Sequence, residues 1–370
     1  MNPALGDCLQ MSDGSEERVR SRFQALLGQA SLATQYLSCD HGAVSCHIRH
    51  LRDIADRSSQ TLSRSHDWVV GLLSSYDHEV DVCFIDGSLC SARSVPLVSE
   101  KGRKSRVEIN LGALPRLLGC ANRLHAMLDS TYLTEYGSFD CGGVGGAPWD
   151  PKNDPLGVLQ TDINGSLEPS IAVALDALQL MYFHEVSHIV AGHMFLPIMT
   201  QKNHSDYDRF HRAVESEADW GSGWLFLAHT ADELGLDRLK SDQVTVTKLV
   251  NRLTIAATCN YVASQISNNP ANAGKRYHLP PVRMTCTLAG GDNWWSAAIG
   301  GVNNFTEAAD ASLLQFATEL VFPQLLPNWV EFSSEIADAD RQCFADDTKG
   351  LIEEVKRQTQ AERSFLWQAS

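Results

Sequence analysis

The chain has 370 residues, of which 44% are hydrophobic, so it can bury a substantial core. Its formal net charge of -15 disfavours nucleic acid and anionic membrane surfaces as partners, and it is compatible with an enzyme or with a basic protein substrate. The sequence lacks an uncharged apolar run of about 18 residues and, at Met1 to Arg22, the pattern of a signal peptide, so we expect no membrane insertion and a cytoplasmic location.

Helical periodicity dominates residues 1–75. Apolar side chains recur close to every 3.6 residues in Glu16–Leu37, which predicts an amphipathic helix, and Ile48–Leu73 predicts one or two more. The ten cysteines form no C-x-x-C pair, and we expect them to remain reduced thiols. One cluster has the residue types of a structural metal site, but its spacing matches no common zinc finger and we favour no metal there. It consists of Cys39, Asp40, His41, Cys46, His47 and His50.

From Val80 onward the hydrophobic pattern changes to that of strands. Val82–Ile85 and Val107–Leu111 predict two strands, and the second is a candidate edge strand for binding extended peptide, with a plain core strand as the alternative. Gly137–Pro169 is rich in Gly, Pro, Asp and Asn and comes directly before a helix that carries histidines. We interpret it either as a lid over a site or as a flexible connection.

The run His184-Glu185-Val186-Ser187-His188 places two histidines four residues apart in an apolar, helix-compatible segment. Such residues lie about 40° apart around a helix, so both imidazoles can reach one zinc ion, while Glu185 is placed to be the general base on zinc-bound water. The alternative is a helix whose histidines bind nothing. On a continuous helix His193 would lie about 140° from His188, so we interpret it as pointing away from the metal, near the helix end.

Catalytic zinc needs a third protein ligand, and the acidic run after position 214 offers one. Ala213–Leu227 predicts a helix on which Glu215 and Asp219 share a face. Glu215 is the predicted third ligand, and Asp219 is predicted to hold a ligand imidazole through its other N–H. Glu217 lies about 160–200° from both and is interpreted as solvated. An ordinary acidic helix start is the alternative.

The segments HEVSHIVAGH and ESEAD resemble the gluzincin metallopeptidases, especially the HtpX-like and CaaX-prenyl-protease-like clan, and also the Lit-type phage-exclusion peptidases. This resemblance covers residues 184–227. It implies the same zinc ligands, His184, His188 and Glu215, with Glu185 as the base and Asp219 in support.

Downstream, Tyr277-His278-Leu279-Pro280-Pro281-Val282-Arg283 is similar to a His-Pro segment followed by arginine in that clan, except that Leu279 separates the histidine from the proline. The similarity predicts His278, and after it Arg283, as the group that stabilises the oxyanion. A proline-bearing loop with a surface histidine is the equal alternative. Residues 270–303 are interpreted as rich in loops, and the flanking segments Asp242–Ser267, Glu307–Leu320 and Val330–Trp367 predict helices.

The sequence therefore predicts an α+β, mainly helical fold. A helical N-terminal segment at 1–75 precedes a zincin-like metallopeptidase domain at 76–330, which holds a small sheet, the active-site helix and a second, glutamate-bearing helix; a helical segment follows at 331–370. The predicted activity is zinc-dependent hydrolysis of peptide bonds in a protein substrate. One alternative is a regulatory, phage-exclusion or toxin-like zinc protein that acts mainly by recognising a partner, with narrow or no proteolysis. Another is a zinc hydrolase acting on a non-peptide amide.

Overall fold

The computed structural model describes residues 9–10, 41–74, 78–85, 89–97, 103–127, 168–241, 243–267, 276–300 and 334–360. Within these ranges the chain is mainly helical with one small sheet, so the predicted α+β class is confirmed at this level. The strands are β1 (Leu9–Gln10), β2 (His78–Ile85), β3 (Ala92–Leu97) and β4 (Arg103–Asn110). The helices are α1 (His41–Leu73), α2 (Ala113–Met127), α3 (Glu168–Val190), α4 (Tyr207–Leu234), α5 (Leu236–Ser241), α6 (Gln243–Ser267), α7 (Pro280–Ala298), α8 (Ser334–Cys343) and α9 (Lys349–Gln358).

Several sequence predictions fall outside the described residues. They are the helix at Glu16–Leu37, the segment at 137–167, the helix at Glu307–Leu320, and the cluster around Cys39, of which only backbone at 41–50 is described. The predicted domain boundaries at 75 and 330 also fall there and stay predictions. Among the described cysteines, Cys83 is disulfide-bonded, which corrects the expectation of thiols throughout, whereas Cys90, Cys120, Cys259, Cys286 and Cys343 are free.

The sheet has the strand order β1-β2-β4-β3, with β2 and β4 parallel and β3 antiparallel to β4. Both predicted strands exist, but β4 is paired on both sides, so the prediction that Val107–Leu111 is an edge strand is wrong. Among the described residues, β1 and β3 are the outer strands, and β3 is the one that lies beside β4. Its odd-numbered residues bond β4, beginning with Ser91, whose carbonyl oxygen accepts from the Asn110 N–H at 3.0 Å. The backbone groups of Ala92, Ser94 and Pro96 therefore face the open side of the strand.

Helix α3 is the centre of the molecule. Every residue in it except Glu168 and Ala172 is buried, which is the behaviour expected of a helix that is apolar around its whole circumference. Helix α1 covers one side as a single helix, where Gln179 of α3 donates to the Ser65 hydroxyl at 2.7 Å. The α3 helix ends at Val190, and Gly192, with φ of 72°, turns the chain sharply after it.

Helices α4 and α7 pack in unusually close contact through two glycines. A methyl group at Gly223 of α4 would overlap the carbonyl oxygen of Thr287, and one at Gly290 of α7 would overlap that of Trp220. Helix α7 contradicts the interpretation of 270–303 as rich in loops. Its prolines, Pro280 and Pro281, occupy the first turn, where no backbone N–H is needed, and Gly290 serves packing instead of a turn.

Replacing Gly223 or Gly290 with alanine should destabilise the protein by about 1–3 kcal/mol or more, because the added methyl group has no space against the facing backbone. Urea unfolding monitored by circular dichroism measures this. Gly71→Ala and Gly350→Ala are matched helical controls with no atom within 4 Å of the new methyl group, and they should be neutral or stabilising by up to about 1 kcal/mol. If the two test variants and the two control variants change the free energy of unfolding by the same amount, the close contact between α4 and α7 is contradicted.

Candidate metal centre

Three side chains converge where α3 and α4 face each other. Nε2 of His184 lies 3.1 Å from Nε2 of His188 and 3.2 Å from Oε2 of Glu215, and Nε2 of His188 lies 3.6 Å from Oε1 of Glu215. The three residues are buried and form a group that could hold a metal ion. The geometry thus brings together the three ligands predicted from the sequence.

These separations can be compared with the distances between ligand atoms around a bound zinc ion. Ligand atoms placed tetrahedrally about 2.0–2.1 Å from zinc lie about 3.3 Å from one another. The separations of 3.1 Å between the two Nε2 atoms and 3.2 Å between His184 and Oε2 of Glu215 are close to that value, and the 3.6 Å separation joins His188 to the other oxygen of the same carboxylate. Two imidazoles and one carboxylate are also a frequent donor set for zinc in hydrolases, so the residues fit such an ion in both spacing and chemistry.

The aspartate behind His184 is itself held by an arginine. Oδ1 of Asp219 lies 2.9 Å from Nδ1 of His184, so Nδ1 donates to this carboxylate and Nε2 is the nitrogen that would face a cation. Arg283 donates two hydrogen bonds to the same carboxylate, each 2.8 Å long, and its guanidinium lies over the rings of Tyr261 and Tyr277. Asp219 is therefore rigidly placed, and it orients His184 as predicted.

The surroundings of this group favour positive charge near His184. Burial opposes ionisation of the imidazole, but hydrogen bonds to Asp219 and Glu215 outweigh it and raise the pKa of His184 to about 10. Burial also disfavours a charged Glu215, yet the neighbouring imidazoles hold its pKa well below the usual value. Burial lowers the pKa of His188. A cation placed between these groups would meet the ionised carboxylate of Glu215 and the neutral imidazole of His188, and it would displace the proton on Nε2 of His184.

Glu185 faces the same cavity from the next position on α3. Burial raises its pKa to about 7, although the charge of His184 and hydrogen bonds from the Ser94 hydroxyl and backbone N–H act in the opposite direction. A carboxyl group with this pKa both accepts and releases a proton near neutral pH. Ser94 was missed by sequence reasoning, because only the sheet register shows that its N–H points to the open side of β3.

A cavity of about 390 Å³ contains the candidate ligands and extends along strand β3. Ser91, Ala92 and Ser94 of the β3 segment line it, and its apolar lining residues include Met194, Met199 and Val214. Its remaining lining includes Met181, Asn260, Ser264, Tyr277 and Arg283. Such a volume accommodates several side chains of an extended peptide or a small ligand.

The structure does not bring His278 to this cavity. Its Nδ1 lies 2.7 Å from Oδ1 of Asp340 and its Nε2 lies 2.9 Å from the Thr348 hydroxyl, so both ring nitrogens tie the start of α7 to the C-terminal helices. The prediction that His278 stabilises the oxyanion is therefore wrong, because its side chain lies outside the cavity. Arg283 does line the cavity, but its guanidinium is committed to Asp219. Tyr277, one residue before His278, lines the cavity instead.

His193 and Glu217 also depart from their interpretation. Because α3 ends at Val190, His193 is not in helical phase, and its Nδ1 lies 2.9 Å from Nδ1 of His188. Its Nε2 lies 2.9 Å from Oε2 of Glu217, and that glutamate is only 4% exposed. His193 therefore faces the site, behind a ligand, and Glu217 is buried instead of solvated.

The chain matches no protein-family model, and neither the curated proteins nor the solved structures include a similar one. None of the helices described is long and apolar enough to cross a membrane.

Removing the Arg283 guanidinium should destabilise the protein strongly, because the buried negative charge of Asp219 would lose the positive charge that pairs with it. We expect Arg283→Met to lower the free energy of unfolding by about 3–5 kcal/mol. Arg276→Met is the matched control, since Arg276 also pairs with an aspartate of α4, Asp208, but both partners are 39–45% exposed and the loss should be about 0–1 kcal/mol.

Urea unfolding in the presence of a chelator measures both variants without a contribution from bound metal. In a double-mutant cycle Asp219→Asn should recover part of the stability lost in Arg283→Met, because the amide needs no counter-charge. Equal losses in Arg283→Met and Arg276→Met would contradict the importance of the buried ion pair.

Proposed function

We propose that this protein is a zinc-dependent metallopeptidase that hydrolyses peptide bonds in a protein substrate. The observation that carries the proposal is the convergence of His184, His188 and Glu215, whose ligand atoms lie within 4.8 Å of one another, with the carboxyl of Glu185 in the same cavity. The two histidines and Glu215 would hold the ion. When bound, zinc supplies Lewis-acid chemistry that polarises a carbonyl and makes water a stronger acid. A cytoplasmic location remains a prediction.

Glu185 is the proton-transfer group of the proposed reaction. It accepts a proton from the attacking water and then delivers that proton to the amine that leaves when the C–N bond breaks. The hydrogen bonds from Ser94 hold its carboxylate beside the edge strand. Because Glu185 contributes nothing to the ligand set, its presence in the cavity favours hydrolysis over an exclusively metal-binding or partner-binding role.

Strand β3 supplies the means to hold an extended peptide. Ala92 and Ser94 present backbone groups on its open side, next to the candidate metal ligands, so a peptide can add to the sheet there as a further strand. Pro96 has no N–H and the Ser94 N–H already donates to Glu185, so of these three residues Ala92 offers its N–H to a peptide, while the Ser94 carbonyl oxygen can still accept. The apolar lining residues Met194, Met199 and Val214 favour an apolar side chain in the bound segment.

Tyr277 is our candidate for stabilising the oxyanion. The negative charge of Glu215 and burial both raise the pKa of its phenol, so the hydroxyl keeps its proton and remains a donor. Its ring packs against the Arg283 guanidinium and the ring of His211, at 5.3 and 5.1 Å between centres, which limits its movement. A preorganised neutral donor in a buried site stabilises the negative charge that develops on the carbonyl oxygen.

Glu185→Gln should abolish peptide hydrolysis while one zinc ion per chain is retained, since the amide cannot take a proton and the ligands are unchanged. Metal analysis of the purified protein gives the zinc content, and mass spectrometry of new protein termini in cells expressing wild type or Glu185→Gln gives the cleavage products. Glu233→Gln, an exposed glutamate of α4 that is not in the cavity, is the control and should behave as wild type.

The outcomes separate the proposal from its alternatives. A wild-type protein without stoichiometric zinc would overturn it. A zinc protein with the same termini in wild type and Glu185→Gln would favour the alternative in which the site recognises a partner without cutting it. Loss of a non-protein amide in cells expressing wild type, with no new protein termini, would favour a different amide substrate.

Tyr277→Phe should lower kcat about 10²–10³-fold with little change in KM, because the lost hydroxyl acts mainly on the transition state. The zinc content should not change, as Tyr277 is not among the candidate ligands. The control is Tyr207→Phe, whose ring also packs against His211 but which does not line the cavity. The assignment fails if both tyrosine variants lose the same activity.

A further inference from the structure

The second candidate ligand, His188, is backed by two residues in series. Its Nδ1 lies 2.9 Å from Nδ1 of His193, and Nε2 of His193 lies 2.9 Å from Oε2 of Glu217. His193 and Glu217 are 2% and 4% exposed, so both are shielded from water. Hydrogen bonds in such surroundings are strong, and a mismatched pair of polar groups is costly.

The chemistry of the three groups determines where the protons lie. The series is assigned with Glu217 as a carboxylate, which only accepts, so that Nε2 of His193 donates to it. The other nitrogen of a neutral His193, Nδ1, then has only its lone pair, and it must accept from Nδ1 of His188. With its proton on Nδ1, His188 presents a bare Nε2 to Glu215 and His184, on the side of the candidate metal.

The fold builds this series from a helix end and a neighbouring helix. The positive φ of Gly192 stops α3 and returns the chain in a short 3-10 turn, His193–Phe195, that places the His193 ring beside His188. Glu217 comes from α4, two residues after Glu215. One helix thus provides both a candidate ligand and the carboxylate that supports another ligand from behind.

We propose that His193 and Glu217 are positioning residues that fix His188 in the tautomer able to bind metal. Glu217 sets the tautomer of His193, and His193 sets that of His188. The series differs from the support of His184, where a carboxylate contacts the ligand imidazole directly. The inference rests on the metal binding in the proposed function and not on peptide hydrolysis.

Zinc affinity tests the series by competition with a chromophoric chelator, a readout that does not depend on activity. His193→Leu removes the acceptor and Glu217→Met removes the group that orients it, and each should weaken zinc binding about 10–100-fold. Because the groups act in series, the double variant should bind no more weakly than His193→Leu alone. Glu217→Gln, whose amide oxygen can still accept from His193, should lose less than Glu217→Met.

Two control variants separate this effect from general damage. His229→Leu removes a different buried histidine, which lies on α4 and packs against Trp68 and Phe183. Glu233→Met removes an exposed glutamate of the same helix. Both should keep wild-type zinc affinity, whatever His229→Leu does to stability. Equal zinc affinity in wild type, His193→Leu and Glu217→Met would overturn the inference while leaving the proposed function intact.

The tautomer can also be observed directly in the wild-type protein, so the test survives if a variant does not fold. Nitrogen-15 chemical shifts of metal-free protein should show His188 protonated on Nδ1 and His193 protonated on Nε2. The opposite assignment for either ring would overturn the inference. If wild type binds no zinc, the proposed function fails, and these shifts still decide whether Glu217 and His193 order the His188 ring.

Discussion

The site depends on the buried charge of Asp219. This carboxylate has no exposed surface, and it is shared between His184 on one side and the Arg283 guanidinium on the other. Its ionised form is favoured because Arg283 and His184 lower its pKa more than burial raises it. A helix that bears no candidate ligand, α7, is thereby linked to the geometry of the ligands. The close packing of Gly223 and Gly290 that seats α7 on α4 is part of the same constraint.

The candidate ligands and Asp219 could be predicted from the sequence because helical phase is a local property. Residues separated by four positions share a face of any regular helix, whatever packs around it, and α3 and α4 are regular at His184, His188, Glu215 and Asp219. The mainly helical class and strands β2 and β4 followed from equally local periodicity. The gluzincin relationship and the zinc itself stay predictions, since spacing restricts the donor set but not the activity.

Helical phase cannot predict contacts that residues make after a regular helix has ended. His193 was placed by extending the phase of α3 past Val190, whereas Gly192 had already turned the chain. The angle between Glu217 and Glu215 around α4 predicts a solvated side chain, because it takes no account of the turn at His193–Phe195 that contacts Glu217. The sequence also does not separate helix α7 from a loop, because a glycine needed for close helix packing and a glycine needed for a turn are the same letter in a sequence.

The electrostatics of the cavity provide an independent argument for a cation. Glu185, Glu215 and Asp219 are buried together, and the guanidinium that faces them is Arg283, which Asp219 already occupies. In the metal-free protein that negative charge is balanced by Arg283, which also lies 3.9 Å from Glu215, and by a proton on His184, whose pKa, in spite of burial, is raised to about 10 by hydrogen bonds to Asp219 and Glu215. Burial raises the pKa of Glu185 to about 7. A divalent ion held by two imidazoles and Glu215 would take the place of the proton on His184 and lie between the same two carboxylates.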